Sequence, residues 1–171
     1  MAEPSVNGLQ ADSFPEQSFD VVTACHVFEH IPADRKGPFL EQLCTVGRRM
    51  VLLLGPMDTG DRGADACPLI YEITGARWAK EHLECGRPPL DLVTSFAAEQ
   101  GLPCRVSPNG DHTAVYWAVF AEYFAACAGK ERELRAIRRF ANQSAAAGRG
   151  NPADPNEYII EIDLDRREPR P

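Results

Sequence analysis

Residues 18–32, Ser-Phe-Asp-Val-Val-Thr-Ala-Cys-His-Val-Phe-Glu-His-Ile-Pro, constrain this chain more than any other stretch. The apolar run around Val21 and Val22 reads as a buried strand over residues 20–24. A sharp exit and one helical turn follow, and Pro32 stops that turn because proline removes a backbone donor and restricts the residue before it. His26, Glu29 and His30 crowd directly behind the strand. Open α/β sheets bind ligands outside the carboxyl ends of their strands. The pattern therefore predicts an α/β fold with its chemistry at this exit.

The downstream pattern supports that fold. Residues 34–47 read as a helix with Asp34 as N-cap and Phe39, Leu40, Leu43 and Val46 on one face. Met-Val-Leu-Leu-Leu at 50–54, closed by Gly55-Pro56, reads as a strand buried on both faces of a parallel sheet. Strand, helix and strand make a βαβ unit with a right-handed crossover. Residues 57–76 read as a long loop, and 57–90 as a whole as a loop or insertion in the position of a lid, with a short helix at 77–84. Asp91 is expected to cap a helix carrying Leu92, Val93, Phe96 and Ala97, which Gly101 ends. Residues 102–106 read as a strand ending in the turn Pro108-Asn109-Gly110. Residues 112–142 form a helical segment, its first helix apolar at 116, 120, 123 and 127 and its second placing Leu134, Ile137 and Ala141 inward. Residues 144–155 read as a flexible connector, 158–164 as a last strand and 166–171 as a disordered tail.

A chain of 171 residues suggests one domain, here 1–165. Its net charge of −7 argues against a nucleic-acid partner, because phosphate binding needs excess Lys and Arg. Arg132, Arg135, Arg138 and Arg139 read as a solvated helix face. No apolar run approaches the ~18 residues that span a bilayer, so no membrane is expected as partner. The N-terminus shows no signal-peptide pattern, which points to the cytoplasm. The six cysteines are scattered without a CxxC, so they read as reduced packing residues and not as a zinc ribbon.

Phe14-Pro15-Glu16-Gln17-Ser18-Phe19-Asp20-Val21-Val22, followed by Val27-Phe28-Glu29-His30-Ile31-Pro32, resembles the class I S-adenosylmethionine-dependent methyltransferases, more narrowly their type 11 group. The resemblance extends through residues 48–56, through Trp78 to Pro89, and through Asn109-Gly110 to the closing strand. It implies the C-terminal part of a Rossmann-like sheet of order 3-2-1-4-5-7-6. Residues 20–24, 50–54 and 102–106 would be its strands 4, 5 and 6, and residues 158–164 its antiparallel strand 7. The implied activity is methyl transfer from S-adenosylmethionine to an acceptor the resemblance does not identify, with a small-molecule acceptor as the expected partner. The chain departs from the family upstream. It has no glycine-rich GxGxG loop, no strand-2 acid, and no acid at Gly8 or Leu9, where the family places one ahead of the Phe14-Pro15 turn (Asp12 is out of register), so the cofactor site is incomplete. The resemblance leaves Ala24, Cys25 and His26 as the cofactor wall, with Leu9 and Gln10 on the adenine side. Activity as a partial methyltransferase domain stands against a non-catalytic truncated or split half. In either case strand 4 is an edge that invites self-association or a partner supplying the missing strands.

His26, Glu29 and His30 are the candidate catalytic residues, with the histidines as optional bases for the acceptor. His26-x-x-Glu29-His30 is also the spelling of an inverted zinc-peptidase motif. Pro32 argues against the long rigid helix that such a site needs. A third reading is a divalent cation at this cluster, polarising an acceptor hydroxyl as a Glu-x-x-Glu-His cluster does in some methyltransferases, with His26 in place of the first acid. The favoured reading assigns no metal and lets Glu29 and His30 pack and hydrogen-bond the strand exit. Trp78, His82, Tyr116 and Trp117 read as core aromatics in preference to an acceptor pocket.

Overall fold

The computed structural model describes residues 14–60, 67–146 and 153–165, and the side chains of 144–146 are left aside. Four strands form one sheet: β1 (Phe19–Cys25), β2 (Gly47–Gly55), β3 (Cys104–Asn109) and β4 (Glu157–Asp163), in the order β1-β2-β4-β3. β1 and β2 run parallel, and β4 is antiparallel to both of its neighbours. The expected 4-5-7-6 half-sheet, with its last strand inserted antiparallel, is therefore present.

Alternation along each strand produces the core. Val22 pairs with Val51, Val51 with Ile162, and Ile162 with Cys104. Two positions along, Ala24, Leu53, Ile160 and Val106 make a second row. Side chains point to one face every second residue, so both rows face the same way. They pack under Phe39, Leu40, Leu43 and Cys44 of α1 (Lys36–Val46) and Val93 and Ala97 of α4 (Leu90–Glu99). Gly47 joins α1 directly to β2, and a Cβ there would lie 2.9 Å from the Leu164 side chain.

Several local expectations are corrected. β1 is not a buried strand. It is the sheet's edge among the described residues, with Val21 49% exposed and only Ala24 fully buried. β2 is buried on one face through Val51, Leu53 and Gly55, whereas Leu52 and Leu54 on the other are half-buried. Asp34 does not cap α1. It sits inside a 3-10 turn, Ala33–Arg35, that runs straight into the helix, and a cap needs a non-helical backbone. Asp91 lies within the first turn of α4, and Pro89 holds the cap position. Gly101, at φ +64, does end α4, with Leu102 N–H bonded to Ala97 O at 2.8 Å. Pro108 and Asn109 belong to β3 and not to a turn. Among the described residues β3 pairs only with β4, and an edge strand accommodates a residue without an N–H.

The segment 57–90 has its expected short helix at 77–84, and part of the loop expected at 57–76 is helical as well. It contains α2 (Cys67–Thr74) and α3 (Arg77–Cys85), while residues 61–66 lie outside the described set. Asp58 N–H to Pro88 O (2.9 Å) and Leu90 N–H to Asp58 O (2.8 Å) tie its two ends together. Pro68 sits in the first helical turn of α2, where its missing N–H would have no partner anyway.

α5 (His112–Cys127) starts on a side-chain cap, Asp111 Oδ1 accepting from Ala114 N–H at 2.7 Å. Of its expected inward residues, Phe120 is buried against Ile70 and Ala79, Tyr116 and Tyr123 are half-buried, and Cys127 is exposed. α6 (Glu131–Ala146) runs past the expected stop at 142 and buries Leu134. The remainder of the expected connector, 147–152, and the tail 166–171 lie outside the described residues.

Candidate functional site

The site begins where β1 ends. His26 N–H bonds to Leu54 O at 2.8 Å, the last rung of the parallel ladder. His26 itself adopts φ +52, a left-handed conformation that costs a side-chain-bearing residue roughly 1–3 kcal/mol. This reversal folds the chain back over the sheet. A single 3-10 turn, Phe28–His30, follows, closed by His30 N–H to Val27 O at 3.0 Å. Phe28 is buried and stacks on Phe39, with ring centroids 6.0 Å apart. Insertion of Phe28 draws its neighbour Glu29 inside, to 1% exposure.

A buried carboxylate is tolerated only with polar company, and here that company is imidazole. Glu29 Oε1 lies 3.3 Å from His26 Nδ1 and 4.0 Å from His82 Nε2. His82, on α3, places Nε2 3.3 Å from His30 Nε2. His30 Nδ1 is 3.3 Å from Glu81 Oε2, and His82 Nδ1 is 3.8 Å from Cys67 Sγ. His26 Nε2 lies 3.1 Å from Glu157 Oε2 of β4, whose Oε1 accepts from Asn109 Nδ2 at 2.6 Å. Glu29 Oε2 is buried without a hydrogen-bond partner among the described residues. Gly55 makes room for it, since a Cβ there would come within 3.1 Å of that oxygen.

Lys36 anchors α3 over this cluster. Its buried Nζ donates to Ile31 O, to Cys85 O at 3.1 Å and to Gly86 O at 3.3 Å. Burial holds this amine below the usual lysine value, while the Cys85 and Glu29 side chains pull it back up. A cation at the carboxyl end of α3 also complements the helix dipole.

Beside the cluster is an open cleft of about 150 Å³. His26, His82, Arg87 and His112 give it polar corners, and Trp78 and Tyr116 give it apolar wall. Trp78 and Tyr116, expected to be core, thus face this cleft, whereas Trp117 is 67% exposed and does not line it.

The structure treats the other candidate residues differently. Ala24 is buried in the sheet core, Cys25 is exposed, and His26 stands at the cleft. Leu9 and Gln10 lie outside the described residues. His26, Glu29 and His30 do cluster, but the ring pair that meets is His30 with His82, and the turn is one 3-10 turn and not a long helix. His82, Glu157 and Lys36 were missed as site residues. The sequence reads His82 as a core aromatic in preference to an acceptor-pocket residue, and no spacing rule links any of the three to the Glu29 turn. Glu29, His30 and His82 each present one ligand atom, all within 4.8 Å of one another, and so could hold a metal ion.

No family model matches this chain, and no curated protein sequence does. Solved structures do match. A SAM-dependent methyltransferase from Archaeoglobus fulgidus superposes over 90% of this chain and 62% of its own, at 12% identity and a TM-score of 0.50. A putative sarcosine dimethylglycine methyltransferase from Galdieria sulphuraria covers 90% of this chain and 56% of its own, at 16% identity and a TM-score of 0.50. The chain therefore spans about three fifths of the length of these structures. With its strand order and its antiparallel β4, the chain shares the fold of the class I S-adenosylmethionine-dependent methyltransferases.

Proposed function

We propose that this domain serves S-adenosylmethionine-dependent transfer of a methyl group to a small-molecule acceptor. The observation that carries the reading is positional: the cleft and its histidines lie outside the carboxyl ends of the parallel pair β1 and β2, where this sheet type binds ligands. The described residues do not make a full cofactor cradle. Cys25 and His26 would offer one wall, and no glycine-rich loop occurs in the sequence. No step is therefore routed through the cofactor. What the chain's own residues offer is an acceptor site. Trp78, Tyr116, Ile70 and Val119 would exclude water around an apolar body, and His26 would hold a proton released by an acceptor hydroxyl or amine. Arg87 and His112 would orient a polar or anionic group of the acceptor.

A second reading, a non-catalytic half completed by other strands, is favoured by one observation: β1 has no strand on its outer side among the described residues, and its Val21 is half exposed. Isothermal titration of the folded chain with S-adenosylhomocysteine separates the two. Micromolar binding supports a working cofactor site. No heat from a folded sample favours the completed-half reading.

A further inference from the structure

The geometry points to a divalent transition-metal site made by Glu29, His30 and His82, with the fourth coordination position open toward the cleft. This inference does not depend on methyl transfer, since it rests on the ligand set alone.

The imidazole pair supplies the first support. His30 Nδ1 faces the Glu81 carboxylate at 3.3 Å, which keeps the proton on Nδ1 and leaves Nε2 as a lone pair. His82 has the same arrangement available, with Nδ1 toward Cys67 Sγ at 3.8 Å. The two Nε2 atoms then face one another across 3.3 Å. At that separation the pair either shares a proton as an N–H···N hydrogen bond or brackets a cation. A metal about 2.05 Å from each nitrogen at the tetrahedral angle places the two nitrogens about 3.3 Å apart. The observed spacing of the two nitrogens fits such an ion.

Glu29 supplies the second support. It is 1% exposed, its Oε1 lies 4.0 Å from His82 Nε2, and its Oε2 is buried without a hydrogen-bond partner among the described residues. A buried carboxylate with one oxygen within 4.8 Å of a ring nitrogen on each of two histidines is a ligand set that a cation would satisfy. His26 Nδ1, 3.3 Å from Oε1, would orient the carboxylate, and Glu81 would orient His30. Two histidines and one carboxylate suit Zn²⁺, Mn²⁺, Fe²⁺ or Co²⁺ better than the all-oxygen ions Mg²⁺ or Ca²⁺. His82 also lines the cleft, so a bound ion would present its open position to whatever binds there.

The test is Co²⁺ and Zn²⁺ binding to the purified chain, after chelator treatment and dialysis, read by isothermal titration and by the visible d–d bands of Co²⁺. One ion per chain is expected, without the near-ultraviolet thiolate-to-cobalt band that a cysteine ligand gives. His82→Ala and His30→Ala should each weaken binding by about 100-fold or more, and Glu81→Gln by about 10- to 100-fold. Cys67→Ser should keep the ion. Circular dichroism confirms that each variant is folded, and because His82 and Glu81 lie on α3, outside the sheet core, those two variants test the site without disturbing the sheet. No binding to the folded chain overturns the inference. So does binding that survives His82→Ala unchanged, or that Cys67→Ser abolishes.

Discussion

His82 of α3 meets His30 at the β1 exit with 3.3 Å between their Nε2 atoms, although 52 positions separate them in the chain. This contact makes the segment 57–90 part of the site. Lys36 reinforces it by binding Cys85 O and Gly86 O at the end of the same helix, and Cys85 Sγ donates to His30 O at 3.3 Å. The site thus depends on α3 staying docked.

Lys36→Met should undock α3 in part. The substitution leaves the Ile31, Cys85 and Gly86 carbonyls without their donor, so a loss of about 1–3 kcal/mol is expected. Urea unfolding measures it, and limited proteolysis should show faster cleavage within 77–90. An unchanged midpoint together with unchanged proteolysis would contradict the anchor.

The same lysine predicts a pH dependence. Its amine is held below the unfolded value of 10.5, so the folded protein gives up that proton first. Between the folded value and 10.5 the unfolded chain binds more protons, and this group's contribution to stability rises with pH across that window. Below the window its contribution is constant. Urea midpoints measured from neutral pH to 10.5 should show a rise attributable to Lys36 that Lys36→Met lacks.

The left-handed backbone at His26 can be separated from its side chain. Glycine adopts φ +52 freely and alanine does not. His26→Gly should therefore be more stable than His26→Ala by about 1–2 kcal/mol, although both lose the contacts to Glu29 and Glu157. Equal denaturation midpoints for the two variants would argue against strain at this exit.

Leu53 sits at the centre of the inner face, fully buried between Ala24 and Ile160. Leu53→Ala should cost about 2–5 kcal/mol, the usual range for a buried leucine truncated in a packed core. Leu52→Ala, one residue away on the half-buried face, should cost clearly less. Thermal unfolding of the pair tests whether the core lies on one side of the sheet.

The exposed edge of β1 predicts self-association or capture of a complementary strand. Sedimentation velocity over a concentration series should show association, and Val21→Lys should suppress it, because a lysine on an edge strand opposes pairing. Concentration-independent sedimentation of the parent chain would remove this expectation.

Local pattern made the strands legible, and the family resemblance implied their order in the sheet. A continuous apolar run marks β2, an apolar stretch at 158–164 marks β4, the glycine after α4 marks its end, and the break between Cys25 and Phe28 marks the exit where Glu29 and His30 sit, since each is set by neighbours a few residues away. What only the tertiary structure decided is which groups meet there. The edge position of β1 left Val21 in solvent, and the edge position of β3 admitted Pro108 into a strand. Docking of the short helix α3 by Lys36 brought His82 to His30 and Glu29, and the antiparallel insertion of β4 brought Glu157 to His26. These partners are separated by tens of residues and share no period. Their meeting is a consequence of packing free energy, which a one-dimensional pattern does not encode.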